Sequence, residues 1–445
     1  MLASRKRSTS LFLIVLVFLS AIWYHTKHGG RIYQEWLSSI ESRPVKLPAN
    51  RTLGFGAVLA VSKGGSGRRH SLLQAANVTD FDITIPKQPD WTEGQVHTFI
   101  NGQTGAQRGS ILAWLGHRNA LRWFLDSGAE TALILEDDVD WDIRLRSVQI
   151  PLAASAARQL LPPSRSDHPL ANPTSNHTQY WGNHDAWDLL YLGHCGDYWD
   201  EVSEYGPKTN RQSFNLSALP HAIYRDPTVP LRGDLHPFTQ SLFHLLKLPE
   251  HSRVMHRSKF PLCSFGYAVT RPAAKRLLDD LAPAQYSEKG ARAFDVALLL
   301  ACNQGENVPS IVPNTRKPHH FRKTMRQPEQ ALREKKPTPG LRCWTLNSEL
   351  FHHMPGTSQV DEIGQKSGEK PGIPPVDLAG QAQIVSRNET TNIDCGFWSG
   401  DFAFADNDTD TLHYLQEQVG RQGRCIKNGR EEQGQNADAT QIPLA

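Results

Sequence analysis

A short apolar run that ends abruptly in carboxylates constrains this chain more than any other feature. Residues 133–135 are Leu-Ile-Leu, residues 136–138 are Glu-Asp-Asp, and Asp140 and Asp142 follow at alternate positions. The pattern predicts a buried strand whose carboxyl end delivers acidic side chains to a crevice, where open α/β sheets bind their ligands. Clustered carboxylates suit a hard divalent cation, although a solvated acidic turn explains these ten residues equally well.

The same residues predict an arrangement of side chains. Successive side chains of a strand point to opposite faces. We therefore expect Glu136, Asp138 and Asp140 to share one face, with Asp137 on the other. A calcium loop of the EF-hand type that begins at Asp138 is disfavoured, because Ile143 stands where such a loop needs glycine.

The N-terminus predicts a compartment. Three cations at 5–7 precede the apolar run 11–24, which is slightly shorter than the ~20 residues of a typical membrane span. Cations before the run favour a cytoplasmic N-terminus. The bulky residues 22–24 disfavour cleavage, so a type II signal anchor is preferred to a cleaved signal peptide. The rest of the chain is then expected in the lumen of the Golgi or endoplasmic reticulum.

Cysteines and sequons agree with a lumenal location. All six cysteines follow the apolar run, and an even number in an oxidising compartment suggests disulfides. The sequence does not fix their pairing, although proximity makes Cys395–Cys425 a candidate. Asn-x-Ser/Thr sequons fit a glycoprotein, and they begin at Asn50, Asn77, Asn176, Asn215, Asn388 and Asn407.

The composition adds two limits. A net charge of +3 gives no reason to expect nucleic acid or an acidic membrane surface as the partner. An apolar content of 39% is below the usual globular value and predicts long polar loops or tails.

Alternating strands and helices predict an α/β fold with a parallel sheet at its start. Strands are expected at 53–62, 81–85, 129–135, 187–193, 261–270 and 308–313, and helices at 71–76, 109–127, 271–278 and 294–302. Residues 151–186 are expected to form an inserted surface loop, and 198–256 a polar, proline-rich segment. Beyond Lys323 the pattern weakens.

Four blocks in the same order resemble the family 25 glycosyltransferases, particularly a fungal branch related to the lipooligosaccharide and collagen galactosyltransferases. They are 109–121 with the acidic motif that follows, the strand 187–193, the strand and helix within 264–278, and Asp295. The resemblance covers roughly residues 53–325. The family often has Cys at the position of Ala113 and Ala or a small polar residue at Gly116.

The resemblance implies a GT-A fold, which is a nucleotide-sugar-binding domain with a Rossmann-like mixed sheet. It implies an inverting, Mn²⁺-dependent transfer of a hexose, most simply galactose from UDP-galactose, to a glycan or glycoprotein, by an enzyme that could be a homodimer. A non-catalytic lumenal protein that binds glycans, or a secreted calcium-binding or adhesive protein, is the alternative. The expected organisation is a cytoplasmic tail (1–10), anchor (11–24), stem (25–52), catalytic domain (53–350), linker (351–392) and C-terminal appendage with a disordered tail (393–445).

The resemblance also suggests site residues. Asp138 is the expected main metal ligand, with Asp140 or Glu136 assisting through the metal or the ribose. His319 or His320 could complete the metal or phosphate shell, and a solvated basic loop is the favoured alternative for these residues. Glu136 and Asp137 are assigned to the donor site.

Other residues are expected to bind the donor or take a proton. His117 and, more weakly, Asn119 are expected at the donor site, although a structural hydrogen bond is the alternative for His117. Arg68 and Arg69 follow the first strand and could hold uridine or phosphate, or be solvated. Asp295 is the expected base for the acceptor hydroxyl and Asp197 the second choice. A carboxylate that interacts with a helix dipole explains Asp295 equally well.

Overall fold

The computed structural model describes most of the region between residues 49 and 353 and one later segment. The described residues are 49–103, 105–161, 180–197, 216, 219–235, 237–287, 290–304, 338–353 and 404–424. The predicted anchor, the predicted strand 308–313, His319, His320 and the candidate pair Cys395–Cys425 lie outside them. Within the described part of the chain, no helix combines the length and the apolar character that crossing a bilayer requires.

The described residues include eleven strands. They are β1 (Ala57–Val61), β2 (Thr131–Glu136), β3 (Val139–Trp141), β4 (Leu189–Gly193), β5 (Gly196–Asp197), β6 (His221–Arg225), β7 (Ser252–Arg257), β8 (Pro261–Leu262), β9 (Gly266–Thr270), β10 (Cys343–Asn347) and β11 (Phe351–His353). Seven of them form one sheet in the order β1-β2-β9-β4-β10-β7-β6. The pairs β3–β11 and β5–β8 form two small antiparallel ribbons.

The main sheet is mixed. Strands β1 and β2 are parallel, as are β4 and β10. Strand β9 lies antiparallel between β2 and β4, and β7 lies antiparallel between β10 and β6. The register sets Val61 opposite Glu136, so β1 and β2 end at the same edge of the sheet. The mixed α/β fold is therefore confirmed, although the predicted strand 81–85 contributes only the parallel bridge of Thr84 to Leu59.

Eight α-helices accompany the strands in the described part of the chain. They are α1 (Arg68–Val78), α2 (Glu93–Ile100), α3 (Arg108–Ser127), α4 (Ile150–Leu160), α5 (Pro237–Leu245), α6 (Arg271–Arg276), α7 (Phe294–Gln304) and α8 (Thr409–Leu415). In α3 the buried residues Ile111, Trp114 and Leu121 recur at helical spacing and face the core. Helix α3 ends where Gly128 adopts a left-handed conformation, with φ 77°, which suits glycine.

The predictions of a surface loop at 151–186 and a polar segment at 198–256 miss elements whose buried residues are small or polar. Residues 150–160 form α4 and not a surface loop, because Pro151 is tolerated in the first turn and small alanines cover the buried face. Strand β7 lies within the segment predicted to be polar. Its Arg253 is buried because Nε donates to Asp226 Oδ2 at 2.6 Å and Nη1 donates to the carbonyl of Glu349.

Long-range contacts close the fold. The described residues form two disulfides, Cys195–Cys263 and Cys302–Cys343. The second joins α7 to β10, a strand that the sequence pattern does not reveal. The later segment 404–424 packs on α1, where Gln74 donates to the carbonyl of Phe404 at 2.9 Å.

We expect Asp188→Asn to destabilise the protein in a pH-dependent way. Asp188 is buried and accepts hydrogen bonds from Arg276 and from the backbone and side chain of Arg342. Burial raises the pKa of this carboxyl, but the arginines outweigh it and lower the pKa. The stabilisation is then complete above the unfolded pKa of about 3.9 and disappears as the pH falls through the lower folded value.

Urea unfolding at several pH values tests this expectation. At pH 7 the variant should lose about 2 kcal/mol of unfolding free energy, and the deficit should shrink below pH ~4 as the wild-type carboxylate becomes protonated. Asp126→Asn, an exposed change on α3, is the matched control and should have little effect. A deficit that is the same at pH 7 and pH 3 would contradict the assignment.

Candidate functional site

A cavity of about 480 Å³ opens at the edge of the sheet where β1 and β2 end. The end of β1 and its following loop form one side, and the N-terminal half of α3 forms another. The loop 88–91, the acidic turn after β2 and His353 complete the wall. A cavity of this size accommodates a small-molecule ligand, and its position agrees with the rule that α/β sheets bind ligands at strand carboxyl ends.

The acidic motif leaves the sheet as a tight turn. Strand β2 ends at Glu136, and β3 begins only at Val139. Because the chain turns between them, the predicted alternation of side chains is wrong. Glu136, Asp137 and Asp138 all line the cavity. Asp140 is fully buried in β3, outside the cavity lining, with Oδ1 accepting from the backbone N–H of Trp141.

Asp138 forms two contacts with charged or titratable side chains of the cavity wall. Its Oδ2 accepts from Arg68 Nη1 at 2.8 Å and lies 3.3 Å from His353 Nε2. Its Oδ1 is buried and has no hydrogen-bond partner among the described residues. Burial raises the pKa of Asp138, but the hydrogen bond from His353 and the charges of His353 and Arg68 outweigh burial and lower it.

Further contacts fix the loop after β1, to the acidic turn on one side and to the start of α1 on the other. Ser62 Oγ donates to Asp137 Oδ2 at 2.7 Å. Arg69 donates to the backbone carbonyls of Ser62 and Lys63, at 3.3 and 3.2 Å. Arg68 therefore faces the cavity, whereas Arg69 lies outside its lining and supports the loop.

A connected set of polar side chains surrounds Glu136. Its Oε1 accepts from Ser264 Oγ at 2.9 Å and lies 3.3 Å from His117 Nε2. The other ring nitrogen of His117 is 3.2 Å from the Tyr267 hydroxyl. Phe294 stacks on the imidazole at 4.5 Å between ring centroids, which fixes the orientation of the ring. Glu136 has a side chain 32% exposed and is the member of this set with the most access to the cavity.

Asp295 lies close behind this set, at the start of α7. It accepts from the backbone N–H of Val296 at 2.8 Å. Burial raises the pKa of Asp295, and the negative charge of Glu136 raises it further. Asp295 is outside the cavity lining, whereas Glu136 is part of it.

The remaining predicted site residues lie elsewhere. Asp197 is buried, and its carboxylate accepts from the backbone N–H of Lys259 and Phe260 and from Thr345 Oγ1. These contacts make it a structural junction outside the cavity. Asn119 donates to the carbonyl of Lys87 at 3.0 Å and thereby holds the start of the loop 88–91.

His353 is the site residue that sequence reasoning missed. Strand β11 pairs with β3, and the register sets His353 opposite Val139, one residue beyond Asp138. Nothing in the sequence pairs these two short strands, although the His-His dipeptide after a short apolar run was an available signal. Residues 351–353, expected in a linker, thus contribute to the cavity wall.

The chemistry of Asp138 and His353 suits a divalent cation. A buried carboxylate oxygen without a hydrogen-bond donor beside it is a ready ligand, and imidazole is a common second ligand. No group of three His, Cys, Asp or Glu side chains is arranged for metal binding within the described part of the chain. Asp138 and His353 would hold such a cation together with phosphate oxygens and water.

No family model matches the chain, and no curated protein matches it at a significant level.

We expect Asp295→Asn to stabilise the protein at high pH. Because the folded pKa of Asp295 is raised, stability falls as the pH rises from the unfolded value of about 3.9 through the folded value. A neutral amide removes this loss. Urea unfolding at pH 8 should show a gain above about 0.5 kcal/mol, beyond the usual range of surface substitutions.

The gain should shrink at pH 4, and the exposed Asp126→Asn change should give no gain at either pH. A variant less stable than the wild type by the same amount at pH 4 and pH 8 would show that the hydrogen bond from Val296 governs Asp295 instead.

Proposed function

We propose that this protein is a metal-dependent inverting glycosyltransferase that transfers a hexose from a UDP-sugar. The observation that carries the proposal is the environment of Asp138, whose Oδ2 binds Arg68 and His353 and whose buried Oδ1 has no hydrogen-bond donor among the described residues. A carboxylate, an imidazole and a guanidinium at one point of a cavity suit a cation and a diphosphate together.

Charged groups around the cavity support a diphosphate ligand. Lys63, Arg68 and Arg108 all line it. The guanidinium of Arg68 can pair with phosphate oxygens as it now pairs with Asp138, because its planar fork fits both anions. When bound, the cation supplies a Lewis acid for the charge that develops on the leaving diphosphate. The GT-A form of the mixed sheet, Mn²⁺ as the cation and galactose as the sugar are part of the proposal and rest on the family resemblance.

Glu136 is the best-placed base for the acceptor. In an inverting transfer the acceptor oxygen bonds to the anomeric carbon as the bond to the diphosphate breaks, and a base takes the hydroxyl proton. Glu136 reaches the cavity, while His117 Nε2 and Ser264 hold its Oε1. The hydroxyl of Tyr267 in turn orients His117. Asp295, the base expected from the sequence, lies outside the cavity lining and interacts with Glu136 through charge alone.

The proposed acceptor, cellular compartment and membrane anchor are those expected from the sequence. We propose a glycan or glycoprotein acceptor in the lumen of the Golgi or endoplasmic reticulum. We also propose a signal anchor at 11–24 that holds the enzyme at the membrane, and a possible homodimer.

Removing either proposed metal ligand should abolish donor turnover. We expect the full-length protein to hydrolyse one UDP-sugar slowly in the presence of Mn²⁺ and to stop when a chelator is added. Asp138→Ala and His353→Ala should each reduce this rate at least about 100-fold, because outer-shell residues alone cost 10- to 100-fold. Product release from a panel of UDP- and GDP-sugars measures the rate.

The exposed Asp126→Ala variant should retain full activity. Turnover that resists the chelator and both ligand variants would refute the metal site. An absence of both turnover and UDP binding in the wild type would instead favour a non-catalytic glycan-binding protein.

Glu136→Gln separates catalysis from donor binding. The amide keeps the shape of the side chain but cannot take a proton, so transfer should slow by about 10²–10⁴-fold. Because the proposed metal ligands are intact, the affinity for UDP with Mn²⁺ should change less than about threefold. Transfer rates with the best acceptor and titration calorimetry with UDP measure the two effects. Asp295→Asn should reduce the rate less than Glu136→Gln does, and the reverse order would return the role of base to Asp295.

A further inference from the structure

A buried amide in the cavity wall has no partner within the described residues. Both Nε2 and Oε1 of Gln88 are buried, and neither forms a hydrogen bond to a described residue. Gln88 lines the same cavity as the acidic turn. Burying an amide without partners lowers the stability of a protein, so a buried polar group of this kind requires an explanation, and a ligand is one.

The backbone just before Gln88 is anchored to α3. The preceding residue, Lys87, accepts the hydrogen bond from Asn119 of α3. The Oε1 atom lies over Gly116, since a Cβ atom at that glycine would stand 3.7 Å from it. The amide therefore rests on the helix at a point where the helix has no side chain. Asn119 acts as a positioning residue for this loop.

The surroundings of Gln88 suit a flat, partly apolar group. Gly109, Leu112 and Ala113 line the cavity from α3. Trp91 lines it from the loop and also packs against the hydrophobic core. Aromatic and small apolar surfaces of this kind accept a nucleobase, which presents flat π-faces. A sugar would instead need many hydrogen-bond partners.

We propose that Gln88 reads the uracil base of the donor and that Trp91 and α3 form the walls of this subsite. The inference rests on the proposed function and adds the residue that recognises the base. An amide places a donor beside an acceptor, and the uracil edge offers N3–H beside a carbonyl oxygen. The two groups can form a pair of hydrogen bonds, Gln88 Oε1 accepting from N3–H and Nε2 donating to O4. The acidic turn then remains for the diphosphate.

The variant Gln88→Met tests the proposal because it should weaken UDP binding and, without ligand, raise the thermal stability. Methionine is similar in shape but lacks the polar atoms. It should weaken UDP binding about 10- to 100-fold, which corresponds to the loss of two neutral hydrogen bonds. It should leave the binding of inorganic pyrophosphate unchanged. Without ligand it should raise the thermal midpoint, since a buried amide without partners is removed.

A matched control and a modified ligand sharpen the test. Gln103 donates its amide to the carbonyl of Tyr286 at 2.8 Å, outside the cavity. Gln103→Met should therefore lower the thermal midpoint and leave UDP binding unchanged. The diphosphate of 3-methyluridine lacks N3–H and should bind the wild type less tightly than UDP does. For Gln88→Met, the methyl group should cause no further loss, because the interaction is already absent.

Titration calorimetry with full-length protein and Mn²⁺ distinguishes the outcomes. The inference is overturned if Gln88→Met binds UDP as the wild type does. It is also overturned if the variant loses UDP and pyrophosphate equally, which would indicate a collapsed cavity. After either result, the proposed function still stands if the wild type binds UDP and Asp138→Ala does not. If the wild type binds neither UDP nor pyrophosphate, the proposed function fails and the inference fails with it.

Discussion

The ion pair between Asp138 and Arg68, with His353 on the same carboxylate oxygen, joins three segments that are far apart in the sequence. Arg68 begins the helix after β1, Asp138 ends the turn after β2, and His353 comes from the last strand. The main sheet positions Arg68 and Asp138 because β1 and β2 end side by side, and the ribbon of β3 and β11 positions His353. A shift of β1, β2, β3 or β11 would therefore disrupt the cavity wall.

The site lowers stability in several places, as functional sites often do. The Asp138 Oδ1 atom and both polar atoms of Gln88 are buried without hydrogen-bond partners among the described residues. Asp295 is held where its ionised form is disfavoured by burial and by Glu136. These groups line or adjoin one cavity. Elsewhere, buried charges such as Asp188 and Arg253 are closely paired. We propose that a nucleotide-sugar bound in this cavity supplies the missing partners of Asp138 and Gln88.

Much of the fold could be predicted from the sequence, for reasons that apply to particular elements. Strands β2, β4 and β9 are short apolar runs buried on both faces, and α3 carries its apolar residues at helical spacing. Strands β6, β7 and β10 were missed. Strand β7 carries the polar residues Arg253 and His256, whose burial depends on tertiary hydrogen-bond partners. Strand β6 begins with His221 and ends with Arg225. Strand β10 is a short run at the edge of a region without clear periodicity.

The site was predictable only in part. The acidic motif located the cavity, and Arg68, His117 and Asp138 all line it. Asp140 lies outside the cavity lining because the chain turns after Glu136, which ends the strand alternation on which the prediction for Asp140 depends. His353 and Gln88 could not be found because their roles depend on the register of a short ribbon and on the packing of a loop over Gly116. The periodicity of the sequence predicts neither the register of the ribbon nor the packing of the loop.

The measurement that tests the central claim most directly is the pulsed electron paramagnetic resonance spectrum of Mn²⁺ bound to the full-length protein with UDP. Our account predicts modulation from a coordinated imidazole nitrogen, together with phosphorus couplings from the diphosphate. The nitrogen modulation should disappear in His353→Ala, while the phosphorus couplings remain. A spectrum without nitrogen modulation, or one that His353→Ala leaves unchanged, would contradict the assignment of Asp138 and His353 as the metal site.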